Sequence, residues 1–237
     1  MKFVITAALI FCCFTAFAQT GPVLYQVKPG EPIMYTLPFD ARYQYPTFKT
    51  GIVQFRNGNM GGGTMNYSCL MEEMDFVTEK MDTLALSEIP EIKYVAFETD
   101  TFYRVQKFFV RQVATNGNAR LAERRSLSLS NRQKYGGHGE LQGGSSVVAI
   151  EQLSSDVNTL RKMVAQELLT FSLTKLYYFG DRFGNFKAAN KKNLMDSYGK
   201  TYPGLENFLA QNKINYSKLE DMKLVLEFLS IDEQKKK

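Results

Sequence analysis

Seven basic residues in the middle of the chain are the strongest candidates for a binding surface. They are Arg104, Lys107, Arg111, Arg120, Arg124, Arg125 and Arg132. Guanidinium groups donate paired hydrogen bonds to phosphate and carboxylate, so a strand face that carries them could bind a polyanion. Lipopolysaccharide phosphate and acidic glycan are the expected ligands of such an Arg-rich strand face. Phe108 and Phe109 could flank it.

The order of charges along the chain supports a second interpretation. Residues 72–100 hold nine Asp/Glu and two Lys, a net of −7, whereas residues 104–134 hold eight Lys/Arg and one Glu, a net of +7. Neighbouring strands of opposite charge pair across a sheet, where they help to set the register. Each exposed pair of this kind stabilises by only about 0.2–1 kcal/mol. The arginines could therefore serve the fold instead of a ligand.

Residues of other catalytic types are few. Cys69 shares a predicted strand face with Met65, Tyr67 and Met71, which predicts that it is buried. His138 stands alone in a glycine-rich segment. The paired carboxylates that a hydrolase would need are available at Glu72, Glu73, Asp75, Glu98 and Asp100. One His and three Cys do not supply the usual zinc cluster. We expect no catalytic residue, cofactor or metal site, and a hydrolase that uses carboxylates or His138 is kept as an alternative.

The first residues have the pattern of a secretory signal peptide. One Lys precedes an apolar run at 3–14, and Ala16-Phe17-Ala18 completes a small-residue cleavage site. The run is shorter than the about 20 residues that a membrane-spanning helix needs. We expect cleavage after Ala18 and no later membrane-spanning segment. Together these predict a periplasmic or secreted protein. An uncleaved N-terminal anchor is the alternative, and Phe11 before Cys12 fits a lipoprotein site poorly.

The remaining chain predicts an α+β fold: an antiparallel β-rich roll or partial barrel followed by a β-hairpin and short C-terminal helices. Its predicted divisions are an extended Pro-rich lead-in (19–47), a β-rich domain (48–134), a Gly-rich linker (135–147) and a hairpin plus helical C-terminal region (148–237). Short apolar runs separated by turns every 8 to 12 residues or so are typical of antiparallel sheets.

Local signals define several of these elements. Asn57-Gly58 and Asn116-Gly117 favour tight hairpins, because both residue types tolerate positive φ. The segment 180–185 predicts a turn between two strands, and Asn190 predicts a helix start. An unbroken helix over 156–179 competes with a short helix followed by a strand.

Three groups of segments carry a resemblance to known sequences. The first group is 51–58, 65–67, 74–77 and 82–86; the second is 92–95 and 100–103; the third is 186–192 and 212–216. Over residues 48–230 the chain resembles a group of uncharacterised exported proteins of Bacteroidota. The resemblance implies a cell-envelope setting and assigns no catalytic residue.

The expected function is therefore a non-enzymatic one in the cell envelope. We expect the protein to bind or scaffold an envelope protein or glycan, rather than nucleic acid. The alternatives are the polyanion-binding module and the hydrolase described above.

Overall fold

The computed structural model describes residues 23–86, 91–135, 141–144 and 163–234. Within these residues twelve strands form a single sheet in which every neighbouring pair is antiparallel. The strands are β1 (Leu24–Val27), β2 (Lys49–Phe55), β3 (Met60–Ser68), β4 (Glu73–Val77), β5 (Thr83–Ala85), β6 (Ile92–Ala96), β7 (Thr101–Val105), β8 (Phe108–Asn116), β9 (Ala119–Tyr135), β10 (Leu141–Gly144), β11 (Leu168–Gly180) and β12 (Phe186–Ala188).

The sheet runs in the order β1-β11-β9-β8-β7-β6-β2-β3-β4-β5, with β10 paired to β9 and β12 paired to β11. It does not close, and the Cys69 carbonyl, which directly follows β3, accepts a hydrogen bond of 2.7 Å from the Leu127 amide of β9. The predicted hairpin turns are confirmed, since Gly58 and Gly117 have φ of 92° and 55°. The α+β class, with an antiparallel sheet and short C-terminal helices, is also confirmed.

The predicted extended lead-in is wrong for the part that the structure describes. Residues 23–47 contain β1 and two single-turn helices, α1 (Ile33–Thr36) and α2 (Phe39–Arg42). Pro32 and Pro38 immediately precede these helices. Proline is pre-organised for a helix start, so these prolines begin turns and do not keep the chain extended. The segment is part of the core, because Val27 is fully buried there.

The region after the linker continues the same sheet. Of the predicted linker, Leu141–Gly144 forms β10, and the rest beyond Tyr135 lies outside the described residues. Of the two alternatives for 156–179, the unbroken helix is wrong from position 168 onward, because Leu168–Gly180 is β11, and the predicted hairpin is confirmed by the antiparallel pairing of β11 with β12. This strand is rich in aromatic and aliphatic side chains and pairs with thirteen positions of β9.

Two apolar cores lie along one face of the long β9–β11 ribbon. Leu127 and Phe171 belong to the main core, while Leu121 and Phe179 pack against the C-terminal helices. Those helices are α3 (Lys191–Leu194) with a π-helical turn at Met195–Gly199, α4 (Leu205–Gln211) and α5 (Leu219–Gln234). The predicted capping by Asn190 is confirmed by the bond from the Asn193 amide to its side chain. A smaller cluster on the opposite face contains Tyr103, Val110, Ala122, Tyr178 and Phe186.

Candidate functional site

The predicted basic residues do not share one strand face. Arg124 and Arg125 are consecutive on β9, and successive side chains of a strand point to opposite faces. Arg124 lies opposite Leu176 of β11, whereas Arg125 lies opposite Lys175. Arg125 therefore shares its face with the two large cores, and Arg124 shares the face of the smaller cluster.

Arg124 is held by an acidic and an aromatic partner. Its Nε donates to Glu72 Oε1 at 2.7 Å, and its Nη2 donates to the second carboxylate oxygen. Its guanidinium lies 3.9 Å from the centroid of the Phe108 ring. The side chains of Arg124 and Glu72 are only 22% and 16% exposed. A two-pronged bond to carboxylate combined with stacking on an aromatic ring satisfies the guanidinium within the fold.

Arg111 is the centre of a charged network between the two large cores. It donates to Asp100 and Glu123, each at 3.1 Å. Glu123 is 3% exposed and also forms an ion pair of 3.4 Å with Lys175. The Tyr45 hydroxyl donates to Asp100 at 2.5 Å. Burial, together with this hydrogen bond, raises the pKa of Tyr45, so the hydroxyl remains a donor.

Arg120 and Arg125 each donate to at least one backbone carbonyl. Arg120 donates to the carbonyl of Arg182 at 2.9 Å and to the Tyr103 hydroxyl. Arg125 donates to the carbonyl of Asp40 at 3.0 Å and so joins β9 to the N-terminal helices. Both contacts link segments that are distant in sequence.

The other three basic residues differ from one another in their surroundings. Arg132 forms an ion pair of 3.3 Å with Glu167, and the Arg104 guanidinium lies 5.7 Å from the centroid of the Phe109 ring. Lys107 is exposed in the turn between β7 and β8. Phe108 and Phe109 were predicted to flank a ligand surface, but they contact arginines of the fold itself.

The acidic and basic segments thus pair with each other inside the molecule. Glu72 and Asp100 come from the acidic segment, and their partners Arg124 and Arg111 come from the basic one. These pairs support the interpretation in which the charge order serves the fold. An external anion would have to compete with the carboxylates that already bind Arg111 and Arg124 within the fold, so these two residues are poorly prepared for that role.

The predicted burial of Cys69 is confirmed, because the residue is 0% exposed. Burial raises the pKa of its thiol to about 12. The thiolate is the reactive form of cysteine, and its population at neutral pH is therefore very small. His138, Ser145 and Ser146 lie outside the described residues.

The Cys69 thiol is expected to react slowly in the folded chain. Alkylation at pH 8 should be at least about a hundredfold slower for the native mature protein than for the protein in urea, because unfolding restores an ordinary thiol pKa. Mass spectrometry of timed samples measures both rates. Equal rates in the two states would contradict the burial of this side chain.

The acidic residues considered for hydrolysis have separate partners. Glu72 pairs with Arg124, Asp100 pairs with Arg111, and Asp75 accepts a 2.9 Å bond from the Tyr43 hydroxyl. In the described part of the chain, no three His, Cys, Asp or Glu residues are grouped to hold a metal ion. Across the same residues, no helix combines the length and apolar character needed to cross a membrane.

Hydrogen bonds fix the conformation of the loop between β11 and β12, and this loop exposes an aromatic side chain. The Asp181 carboxylate accepts bonds from the Phe183 amide at 2.9 Å, the Asn185 amide at 3.0 Å and the Asn185 side chain at 2.8 Å. Desolvation acts to raise the pKa of Asp181, but these bonds hold it below its ordinary value. The carboxylate thus fixes the path of the loop at neutral pH.

Neighbouring elements hold the base of the same loop. The Tyr198 hydroxyl donates to the Gly180 carbonyl at 2.9 Å, and the Phe186 ring lies so close to Gly180 that a Cβ there would come within 2.5 Å of it. Gly184 has a φ of 86°, and a Cβ there would lie 2.8 Å from the Tyr103 ring. Close packing and the left-handed backbone therefore both require glycine.

This loop displays two adjacent side chains to solvent, and we name Arg182 and Phe183 the hairpin tip. Phe183 is 65% exposed, and the Arg182 guanidinium lies 4.7 Å from the centroid of its ring. The sequence pattern predicted the turn but not the exposure of the Arg182 and Phe183 side chains. The available signal was a large aromatic residue between Arg182 and Gly184, at a position where turns usually carry small polar residues.

Comparisons with protein-family models, with curated proteins and with solved structures find no match to this chain.

Proposed function

We propose that the chain is an exported, non-enzymatic cell-envelope protein that binds another envelope component through the hairpin tip. The signal-peptide pattern that ends at Ala18 supports export. The burial of Cys69 and the separate partners of Glu72, Asp75 and Asp100 favour a role that does not use these groups in catalysis. The resemblance to exported proteins of Bacteroidota is consistent with an envelope setting.

The observation that carries the proposal is the exposure of Phe183 on a loop that its neighbours hold in place. An aromatic side chain that is 65% exposed offers apolar surface that a partner can bury favourably. Because the loop is already ordered by Asp181, binding would require little further loss of conformational freedom. Rigid aromatic and arginine side chains are typical anchors of binding surfaces.

Fractionation of cells that export the protein tests this proposal. The wild-type chain should sediment with the envelope, and the double variant Arg182→Ser with Phe183→Ser should move to the soluble exported fraction. These substitutions keep Asp181 and the Arg182 carbonyl, so the loop contacts remain. Mass spectrometry of the recovered chain should give Gln19 as the first residue.

A matched control lies in the turn between β4 and β5. Lys80 and Met81 are an adjacent cation and apolar residue there, and Met81 is 81% exposed. Lys80→Ser with Met81→Ser removes the same charge and a similar exposed apolar side chain, yet should leave the chain in the envelope fraction. Equal behaviour of the two double variants would refute binding through the hairpin tip.

A further inference from the structure

We propose that the occupant of the hairpin tip is an anionic phospholipid surface. In this arrangement Phe183 enters the boundary between the headgroups and the acyl chains, and Arg182 contacts lipid phosphate. The inference rests on the proposed function and adds the chemical class of the partner.

The segment that begins at the tip is basic, which favours an anionic surface. Residues 181–200, which include β12 and α3, hold five basic and two acidic residues, a net of +3. One of the acidic residues, Asp181, is occupied by hydrogen bonds within the loop. Lys187, Lys192 and Lys200 are exposed, whereas Lys191 pairs with Glu206 at 2.8 Å. Lysines and arginines near an anionic membrane attract it through lipid phosphate.

The form of the apolar surface distinguishes a lipid from a protein partner. Protein interfaces surround their aromatic anchors with a broad area that excludes water. At this tip the apolar surface is one ring, and its sequence neighbours Arg182 and Asn185 are polar and exposed. A single exposed aromatic residue beside cations suits the membrane interface, where the ring leaves water and the cations stay among the headgroups.

The arrangement of the tip also explains why its arginine remains available. The guanidinium of Arg182 stacks on the exposed Phe183 ring, while its carbonyl is held by Arg120. In contrast, the Arg124 guanidinium is bound by Glu72 and is only 22% exposed. Arg182 can therefore contact phosphate without breaking an ion pair of the fold.

Vesicle binding by the purified mature chain tests the inference. Vesicles of phosphatidylglycerol mixed equally with phosphatidylcholine should sediment with the wild-type chain, and phosphatidylcholine alone should bind it weakly. The double variant Arg182→Ser with Phe183→Ser should bind the anionic vesicles at least about tenfold more weakly. Lys80→Ser with Met81→Ser should bind them as the wild type does. Equal binding by both double variants, or the absence of wild-type binding, would overturn the inference.

Tryptophan fluorescence gives an independent readout of insertion. The chain has no Trp, so Phe183→Trp introduces one fluorophore at the tip and Met81→Trp introduces one at the control turn. Anionic vesicles should shift the emission of the tip variant to the blue and leave that of the control variant unchanged. Soluble glycerol phosphate at a matched phosphate concentration should neither shift the emission nor release the chain. Full release of the chain by glycerol phosphate would show that the tip binds phosphate alone, and would rule out a lipid surface as its partner.

The vesicle and fractionation experiments separate the two proposals. If the tip variant leaves the cell envelope but the wild type binds no vesicle, the proposed function stands and a protein or glycan is the occupant. If the tip variant stays in the envelope, the proposed function itself fails.

Discussion

Arg124→Glu is expected to lower the free energy of unfolding by about 3 to 5 kcal/mol, because it replaces a largely buried ion pair with two facing carboxylates. Arg124 binds both oxygens of Glu72 and stacks 3.9 Å from the Phe108 ring, and all of these contacts are lost. Urea denaturation of the mature protein, followed by circular dichroism, measures the change.

Lys107→Glu is the matched control for this substitution. Lys107 belongs to the same predicted basic set and lies exposed in the turn between β7 and β8. The same charge reversal should change the free energy of unfolding by no more than about 0.5 kcal/mol there. Adding Glu72→Arg to Arg124→Glu should restore part of the lost stability, since opposite charges face each other again. Equal stabilities of Arg124→Glu and Lys107→Glu would contradict the structural role of Arg124.

This expectation changes how a charge-reversal experiment on the arginines must be interpreted. Arg124→Glu combined with Arg125→Glu would test polyanion binding only if the fold survived. Arg125 donates to the Asp40 carbonyl at 3.0 Å, so the combination also detaches the N-terminal helices from β9. Loss of heparin or lipopolysaccharide binding by this variant would follow from loss of structure.

Arg111→Ala is expected to destabilise the protein by about 3 kcal/mol, because Glu123 is buried and loses its main partner. Glu123 is 3% exposed and receives a 3.1 Å bond from Arg111. Its second cation, Lys175, is 52% exposed and lies 3.4 Å away. Lys175→Ala should therefore cost less than about 1 kcal/mol, although both cations contact the same carboxylate. Equal losses in urea denaturation would show that the network between the two cores is not organised around Arg111.

The parts of the fold that the sequence predicts are those with local causes. Hairpin turns at Asn57-Gly58 and Asn116-Gly117 need only the backbone freedom of their own residues, and both are present. The helix start at Asn190 likewise depends on a bond to Asn193, three residues later. These features could be derived without knowing which strands become neighbours.

The parts that could not be predicted depend on distant contacts. β1 pairs with β11, and Leu24 lies opposite Ser172 in that pair. No local pattern in the Pro-rich segment identifies this partner, and the extended lead-in was consequently the wrong expectation. Loop closure over such separations is decided by the whole core rather than by local propensity.

The candidate site also combines features with local causes and features that depend on distant contacts. Strand alternation alone places Arg124 and Arg125 on opposite faces. The partner of Arg124 is Glu72, 52 residues away in sequence, and only the folded sheet brings them together. The turn that begins at Asp181 follows from its sequence, but the 65% exposure of Phe183 is seen only in the folded structure.

The central claim is that the hairpin tip, and not the basic set of β7 to β9, holds the protein at the envelope. It is tested most directly by comparing the envelope-bound fraction of Phe183→Ser with that of Lys107→Glu, the exposed member of the basic set. We expect Phe183→Ser to release the chain into the soluble exported fraction and Lys107→Glu to leave it bound. Release by Lys107→Glu with retention of Phe183→Ser would contradict the claim.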